Sequence, residues 1–258
     1  MEKAKTKLHE VNLSQEFDCV YLLPISDLHI GDKHCNFDKL YRYLDWVKQT
    51  PNAYLLLNGD ILNAGIKMSV TNVYDEEMNP NEQIKLAVKL FEPVKDRILA
   101  MVAGNHERRI YRETGVDVVE IIANQLGVYY AGDEAFLKIR FGKNEHGKPL
   151  AYVIYMTHGW GGGRTAGSKV NNLQKLSEIV LADIYIASHT HFMTAHQDVY
   201  LVPDKQNNNI MKIKRTYVSS GAFLERGGYA AQKGYPPAKL GSPRIRLDGK
   251  KKDVHVSI

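Results

Sequence analysis

Cysteine is scarce: Cys19 and Cys35 are the two thiols in 258 residues. That excludes the disulfide framework of a small secreted scaffold, and two reduced thiols in a cytosolic protein is the reading it leaves. Long apolar runs are missing as well. None approaches the roughly 20 residues of a membrane helix, so no membrane association is expected. Met1-Glu2-Lys3-Ala4-Lys5 carries charge with no apolar stretch behind it, so no secretory signal is expected and the cytoplasm is the expected compartment. Strong charge of one sign is absent too. The net charge of +5 favours polyanions mildly and is too small to indicate nucleic-acid binding by itself. The glycine-rich stretch Gly161-Gly162-Gly163-Arg164-Thr165 is not a phosphate-binding P-loop, because the lysine and the spacing are wrong. No internal repeat, linker or low-complexity tract divides the chain, so a single domain over 1–258 is the economical expectation.

What is present suffices for a folded α/β core: 44% of residues are apolar. Residues 1–18 are polar and suggest a peripheral strand or arm. Short apolar runs bounded by polar residues predict buried strands over 20–26, 53–57 and 98–102. Apolar residues at helical spacing predict a helix over 37–47, and Pro80 opens another over 80–94. Strands alternating with helices imply a parallel sheet with right-handed crossovers. After a further helix near 116–126 the pattern changes to a hairpin of strands over 135–141 and 151–157, linked by the turn-rich 142–149. A helix over 170–180, a strand over 183–187, a hairpin of 195–202 with 210–219, and two short strands over 244–247 and 254–258 complete the expectation of two sheets.

Five patches carry the chemistry: Asp27-Leu28-His29, Gly59-Asp60, Gly104-Asn105-His106-Glu107, His158-Gly159 and His189-Thr190-His191. Each begins at or just beyond the end of a predicted strand, where parallel α/β sheets place their sites. Asp27 and His29 are two residues apart; in an extended segment both would point to one side. His189 and His191 repeat that spacing. The Asp60 carboxylate has two oxygens and can bridge two cations, and Gly59 permits a tight turn beside it. The Asn105 carbonyl can bind a divalent metal without adding charge, which leaves His106 free to serve as a proton donor. Each patch has a plainer reading when taken alone: a loop carboxylate capping a helix, an Asn-His turn, a satisfied structural histidine. Five in one order, each at a strand end, favour a metal site. His9, His34, His146, His196 and His255 fall outside the patches and read as structural or surface residues.

At these residues the chain resembles the calcineurin-like metallophosphoesterases, whose pattern is D-x-H, G-D, G-N-H-D/E, H and G-H-x-H. The resemblance runs from about residue 20 to residue 191, with one visible departure: Ser188 stands where the last motif usually has glycine. It implies a four-layer α/β/β/α sandwich with two mixed β-sheets and a dinuclear metal site at the strand ends. On that resemblance Asp27, His29 and His191 would hold one metal, Asp60 would bridge, and Asn105, His158 and His189 would hold the other. His106 would be the general acid or a transition-state donor, with Glu107 orienting it. The chain resembles in particular members encoded by bacteriophages and prophages, on Gly104-Asn105-His106-Glu107-Arg108-Arg109, on Ser168-Lys169-Val170-Asn171-Asn172 and on the segment 228–237.

Charge counting supports hydrolysis. Two divalent cations bring four positive charges, Asp27 and Asp60 return two, and a bridging hydroxide a third. The remaining charge of about one positive unit attracts a phosphate and opposes its growing negative charge. Two cations about 3.5–4 Å apart can activate water and clamp phosphoryl oxygens, so no protein nucleophile is needed. Nitrogen and oxygen ligands without thiolate fit manganese, iron, zinc, nickel or cobalt; the resemblance and a cytosolic setting make manganese the first expectation.

Arg108 and Arg109 suit a phosphate contact, with a solvated helix start as the alternative. Arg164 sits in the glycine-rich stretch, which reads equally as a mobile loop. The loop 61–79 is long enough to wall a pocket. The segment 224–235 mixes tyrosines with basic residues, which suits either base stacking or simple packing. The leading reading is a phosphodiesterase or nuclease acting on nucleic acid or a nucleotide; the alternatives are a phosphomonoesterase and a non-enzymatic metal-bound scaffold. The sequence sets neither the natural substrate nor the oligomeric state.

Overall fold

The protein was analysed as a computed structural model that describes residues 6–67, 69, 76–232 and 234–258. The apolar runs build two mixed sheets. The first joins β2 (Cys19–Ile25), β3 (Ala53–Asn58), β4 (Ile98–Val102), β10 (Arg244–Asp248) and β11 (Val254–Ser257) in the order β11-β10-β2-β3-β4. Its β2, β3 and β4 run parallel, and β10 and β11 add antiparallel at one edge. The second sheet has the order β1-β5-β6-β7-β9-β8. Its strands are β1 (His9–Asn12), β5 (Glu134–Phe141), β6 (Leu150–Thr157), β7 (Ile184–Ala187), β8 (Thr194–Asp204) and β9 (Asn209–Ser219). The expected hairpins β5–β6 and β8–β9 are both antiparallel, and the polar N-terminal segment contributes β1, paired parallel to β5.

Strand alternation sorts side chains into three cores, and those cores define four layers. Leu23, Ile25, Leu55 and Leu57 face helices packed on the outside of the first sheet. These are α1 (Phe37–Gln49), α2 (Pro80–Phe91), α3 (Asn105–Thr114) and α4 (Val118–Leu126). Val20, Leu22, Leu56, Ile154, Ile184 and Val218 meet between the sheets. Tyr155, Tyr185 and Tyr217 face outward from the second sheet against Leu173 and Leu176. Those leucines belong to α5 (Ala166–Gln174) and α6 (Leu176–Ile179). The sequence expectation of an α/β/β/α sandwich therefore holds. In β3 all six residues are buried, as a strand covered on both faces requires.

Caps set the helix limits. Asn36 accepts from the Lys39 N–H at 2.8 Å, and Asn79 with Glu82 forms a reciprocal box ahead of Pro80. The predicted helix over 80–94 ends at Phe91 and continues as a 3-10 turn over Glu92–Arg97, which contains Pro93. The predicted helix over 170–180 is two pieces, α5 and α6, beginning at Ala166 behind the Thr165 cap. The short α7 (Gly228–Gln232) was not anticipated, and α3 bears out the alternative reading of Arg108 and Arg109 as a helix start. Of the expected pocket wall over 61–79, residues 68 and 70–75 lie outside the described residues, as do 1–5 and Lys233. The two thiols are free; Cys35 is buried, and burial followed by the nearby Asp32 pushes it up to about 12.

One hydroxyl ties the sheets together at the end remote from the strand C-termini. Tyr152 on β6 donates to the Asp248 carbonyl of β10 at 2.7 Å and accepts from the Asp253 N–H at 3.0 Å. Tyr152→Phe should cost about 1–2 kcal/mol in urea unfolding, because the Asp253 N–H loses its partner. An unchanged midpoint and slope would show that the hydroxyl holds nothing.

Candidate metal centre

The carboxyl ends of β2, β3, β4, β6 and β7 converge on one rim, and each of the five patches follows one of these strands. The backbone there is unusual. Asp27, His29, Asp60, His189 and His191 all have positive φ, between 48° and 66°. The expectation of an extended Asp27–His29 segment is thus corrected: left-handed residues, not strand alternation, turn these side chains into the site. Such conformations cost about 1–3 kcal/mol each in non-glycine residues and persist only where the surroundings impose them. Here the imposing contacts are backbone hydrogen bonds between the rim loops. Asp27 N–H donates to Gly59 O at 3.1 Å, Leu28 N–H to Asp60 O at 2.9 Å, and Ser188 N–H to His158 O at 2.9 Å.

Two glycines are set by close approach. A Cβ on Gly59 would lie 2.7 Å from the Gly104 backbone, and one on Gly104 would lie 2.1 Å from Asp60 Oδ1. Their absence lets the α3 N-terminus close on Asp60, whose Oδ1 accepts the His106 backbone N–H at 2.8 Å. Glu107 accepts three backbone N–H groups, from Asp60 (3.1 Å), Leu62 (2.9 Å) and Gly104 (3.0 Å). Its place is beneath the loops as a clamp. The partner of His106 Nδ1 is the Asn63 carbonyl at 2.8 Å, so Asn63, and not Glu107 as expected, orients that ring.

The side chains fall into overlapping groups. Asp27, His29 and His191 present ligand atoms within 4.8 Å of one another; so do Asp60, His158 and His189, and so do His29, Asp60 and His106. Asn105 Oδ1 joins the second group, 3.2 Å from His158 Nε2 and 2.8 Å from His189 Nδ1. His29 Nε2 and His191 Nε2 lie 3.3 Å apart, a separation at which one cation can take both at about 2.1 Å. Asn63 Oδ1, 3.1 Å from His29 Nδ1, takes the other ring N–H and leaves Nε2 as the donor atom. Asp27 Oδ1 is buried with His191 Nε2 3.1 Å away but no well-directed hydrogen bond, although its Oδ2 accepts from Ser26 Oγ and from His189 N–H. A buried carboxylate oxygen that faces imidazole nitrogens without a directed hydrogen bond is what a divalent cation would satisfy. The donor set fits two such cations.

Electrostatics describe the same need. Burial works against the charge of Asp27, but His191 and His158 outweigh it and hold the carboxyl down at about 2. Asp60 is likewise held well below the usual range despite burial, chiefly by His158 and His106. Burial pushes His29 down to about 3, with His106 adding to it, so its ring is neutral. For His158 burial is overcome by the Asp60 carboxylate, 3.1 Å away, which holds the ring up at about 10. Burial first, then Asp60, raises Glu107 to about 7.

The two arginines after Glu107 part company. Arg108 is ion-paired through Nη1 to Asp117 (2.9 Å) and through Nε to Asp133 (2.5 Å). Arg109 is half-buried, with Asp60, Glu107 and Glu76 as its charged neighbours and Ser69 Oγ 3.4 Å from Nη1. Arg164 lies with its guanidinium 5.6 Å from the Tyr235 ring centre, joining the glycine-rich loop to the 224–235 segment. Sequence reasoning missed Asn63, Asn58, Ser26 and Ser220. Asn63 follows Asp60 by three residues in the same loop, a spacing that could have drawn attention; the serines have no local signal.

The calcineurin-like phosphoesterase family profile matches residues 25–193, more than half of the chain and all five patches. The chain belongs to that family and is a phosphoester hydrolase; the family is typically dependent on a dinuclear metal centre. Among solved structures, a predicted phosphoesterase from Streptococcus pneumoniae TIGR4 is similar at 14% identity and TM-score 0.39, with 92% of this chain and 88% of that one covered. A metallophosphoesterase from Sphaerobacter thermophilus is similar at 13% identity and TM-score 0.40, with 93% and 89% covered. No curated protein matches the chain in sequence.

The pairing of His158 with Asp60 has a measurable consequence. Held at about 10, His158 is protonated in the metal-free chain near neutral pH, while His29 has no proton to give up. The pairing stabilises the metal-free fold fully below the ordinary histidine value of 6.5 and ceases to do so as pH rises through 10. Metal uptake near neutral pH should therefore release about one proton from this ring. Calorimetric titration in buffers of different ionisation enthalpy reads that release; heats independent of the buffer would contradict it.

Proposed function

We propose that this phosphoester hydrolase is a phosphodiesterase acting on nucleic acid or a nucleotide, of the kind that bacteriophages and prophages encode, with manganese as its first-choice metal. Asp27, His29 and His191 would hold one cation, Asn105, His158 and His189 the other, and Asp60 would be shared. When bound, the two cations activate water and neutralise charge on the phosphoryl oxygens.

The chain's own residues supply the rest. His106 Nδ1 donates to the Asn63 carbonyl, so any second proton sits on Nε2, 3.9 Å from Asp60 Oδ2. That atom would protonate the leaving oxygen. Glu107 would act one step back, fixing the loops of Asp60 and Gly104 through their backbone N–H groups. Arg109, beside Asp60, would meet a phosphoryl oxygen; Arg108 is left out because its fork is occupied by two aspartates.

The observation that carries the diester reading is the rim beyond the ligands. Arg164 faces Tyr235, Lys169 lies 5.2 Å from the Phe192 ring centre, and Trp160, two residues past His158, is 48% exposed. A monoester presents one terminal phosphoryl group, whereas a diester brings a second arm that must rest outside the metals. Cations with aromatic faces suit a base and its phosphate.

The test compares bis- and mono-p-nitrophenyl phosphate, single-stranded DNA and cyclic nucleotides with manganese-loaded protein. The diester reading expects turnover of the bis compound and of at least one nucleotide substrate above the mono compound. Preference for the monoester would replace it with a phosphomonoesterase, and no turnover of any would favour a scaffold. His106→Ala should keep its metal and lose about 100-fold or more in turnover; unchanged turnover would remove the role given to that ring.

A further inference from the structure

Beneath the candidate ligands runs a buried line of hydrogen bonds that joins one ligand set to the other. The His158 Nδ1–H donates to the Asn58 carbonyl at 2.8 Å. The Asn58 amide nitrogen donates to the Thr157 carbonyl at 2.9 Å and to Ser188 Oγ at 2.6 Å. Ser188 Oγ lies 2.8 Å from Ser220 Oγ, which lies 2.6 Å from Ser26 Oγ. Ser26 Oγ donates to Asp27 Oδ2 at 2.7 Å. Asn58, Ser220 and Ser26 are fully buried and Ser188 is 2% exposed, so the line lies away from bulk solvent. The residues stand at or just past the ends of β3, β7, β9 and β2, so the line passes from one sheet to the other.

Direction is set at the two ends of the line. The carboxylate of Asp27 can only accept, so Ser26 donates to it. At the other end the Asn58 amide, whose nitrogen is fixed by the Thr157 carbonyl, and the Ser220 hydroxyl both donate into Ser188 Oγ. Hydrogen bonds in a dry interior polarise one another. The Ser26 bond occupies Oδ2 and leaves Oδ1 facing His191 Nε2, 3.1 Å away.

We propose that Ser188 is a positioning residue whose hydroxyl closes this line, orienting the Asp27 carboxylate and fixing its set of ligands against the set that contains His158. The inference rests on the metal-centre reading above. It gives a purpose to the one residue at which the sequence departs from its family's pattern: without a hydroxyl there, a buried amide N–H and the Ser220 hydroxyl lose their acceptor and the sheets lose one of their links under the site.

The experiment is a manganese titration, by calorimetry, of the full-length metal-free protein and of Ser188→Ala, Ser220→Ala and the double variant, with thermal melts recorded separately. Each single variant should bind manganese on the order of tenfold more weakly while remaining folded at the titration temperature. The double variant should be no weaker than the worse single, because one line is broken only once. Wild-type affinity in either single variant, even with a lowered Tm, would reduce these serines to packing and overturn the proposal; so would losses that add. Ser220→Ala keeps the test decisive should Ser188→Ala fail to fold. If the wild-type protein takes up no manganese, the metal-centre reading fails first; if it does and the variants match it, the positioning role alone fails.

Discussion

Two carboxylates with almost no access to water govern this protein. Asp27 and Asp60 are buried at the rim between the sheets, and a buried anion must be met by positive charge and hydrogen bonds or lose its ionisation. Everything near them answers that demand. Protonated His158 lies against Asp60, the α3 N-terminus donates a backbone N–H to it, and His191 faces Asp27. These answers remain partial while Asp27 Oδ1 has no well-directed hydrogen bond. Divalent cations would complete them, and the proton on His158 would then have to leave.

The sandwich exists, in functional terms, to bring five strand ends to one place and hold them there at a conformational cost. Five of the site side chains stand on left-handed backbone. Burial of continuous apolar strands, with cores on both faces of each sheet, supplies the rigidity that keeps these loops from relaxing. Glu107, with its three backbone N–H bonds, and the serine line under Asp27 transmit that rigidity to individual side chains. Strain at the rim and stability in the layers are thus two aspects of one design.

Much of this was legible in the sequence. Apolar runs located β2, β3, β4, β6 and β7 within a residue or two, because buried strands are apolar on both faces and need no context to be seen. The ligand patches were legible because their residue types recur in order at strand ends. What was hidden depends on contacts between distant segments. The polar helix α3, with Ile110 its sole buried apolar residue, is folded by the cap that Glu107 gives it and not by an apolar stripe. The fate of Arg108 depends on Asp117 and Asp133, which only the fold brings near. The left-handed turn at Asp27 and His29 mimics, in side-chain direction, the alternation expected of a strand, so the right side was inferred from the wrong backbone. The serines join across separations that no local pattern encodes.

The proposed mechanism requires two cations to share Asp60. A crystal structure of manganese-loaded protein with anomalous scattering recorded for the metal tests this most directly. Two peaks about 3.5–4 Å apart with the Asp60 carboxylate between them are expected. One peak would contradict the mechanism, as would two peaks that share no ligand.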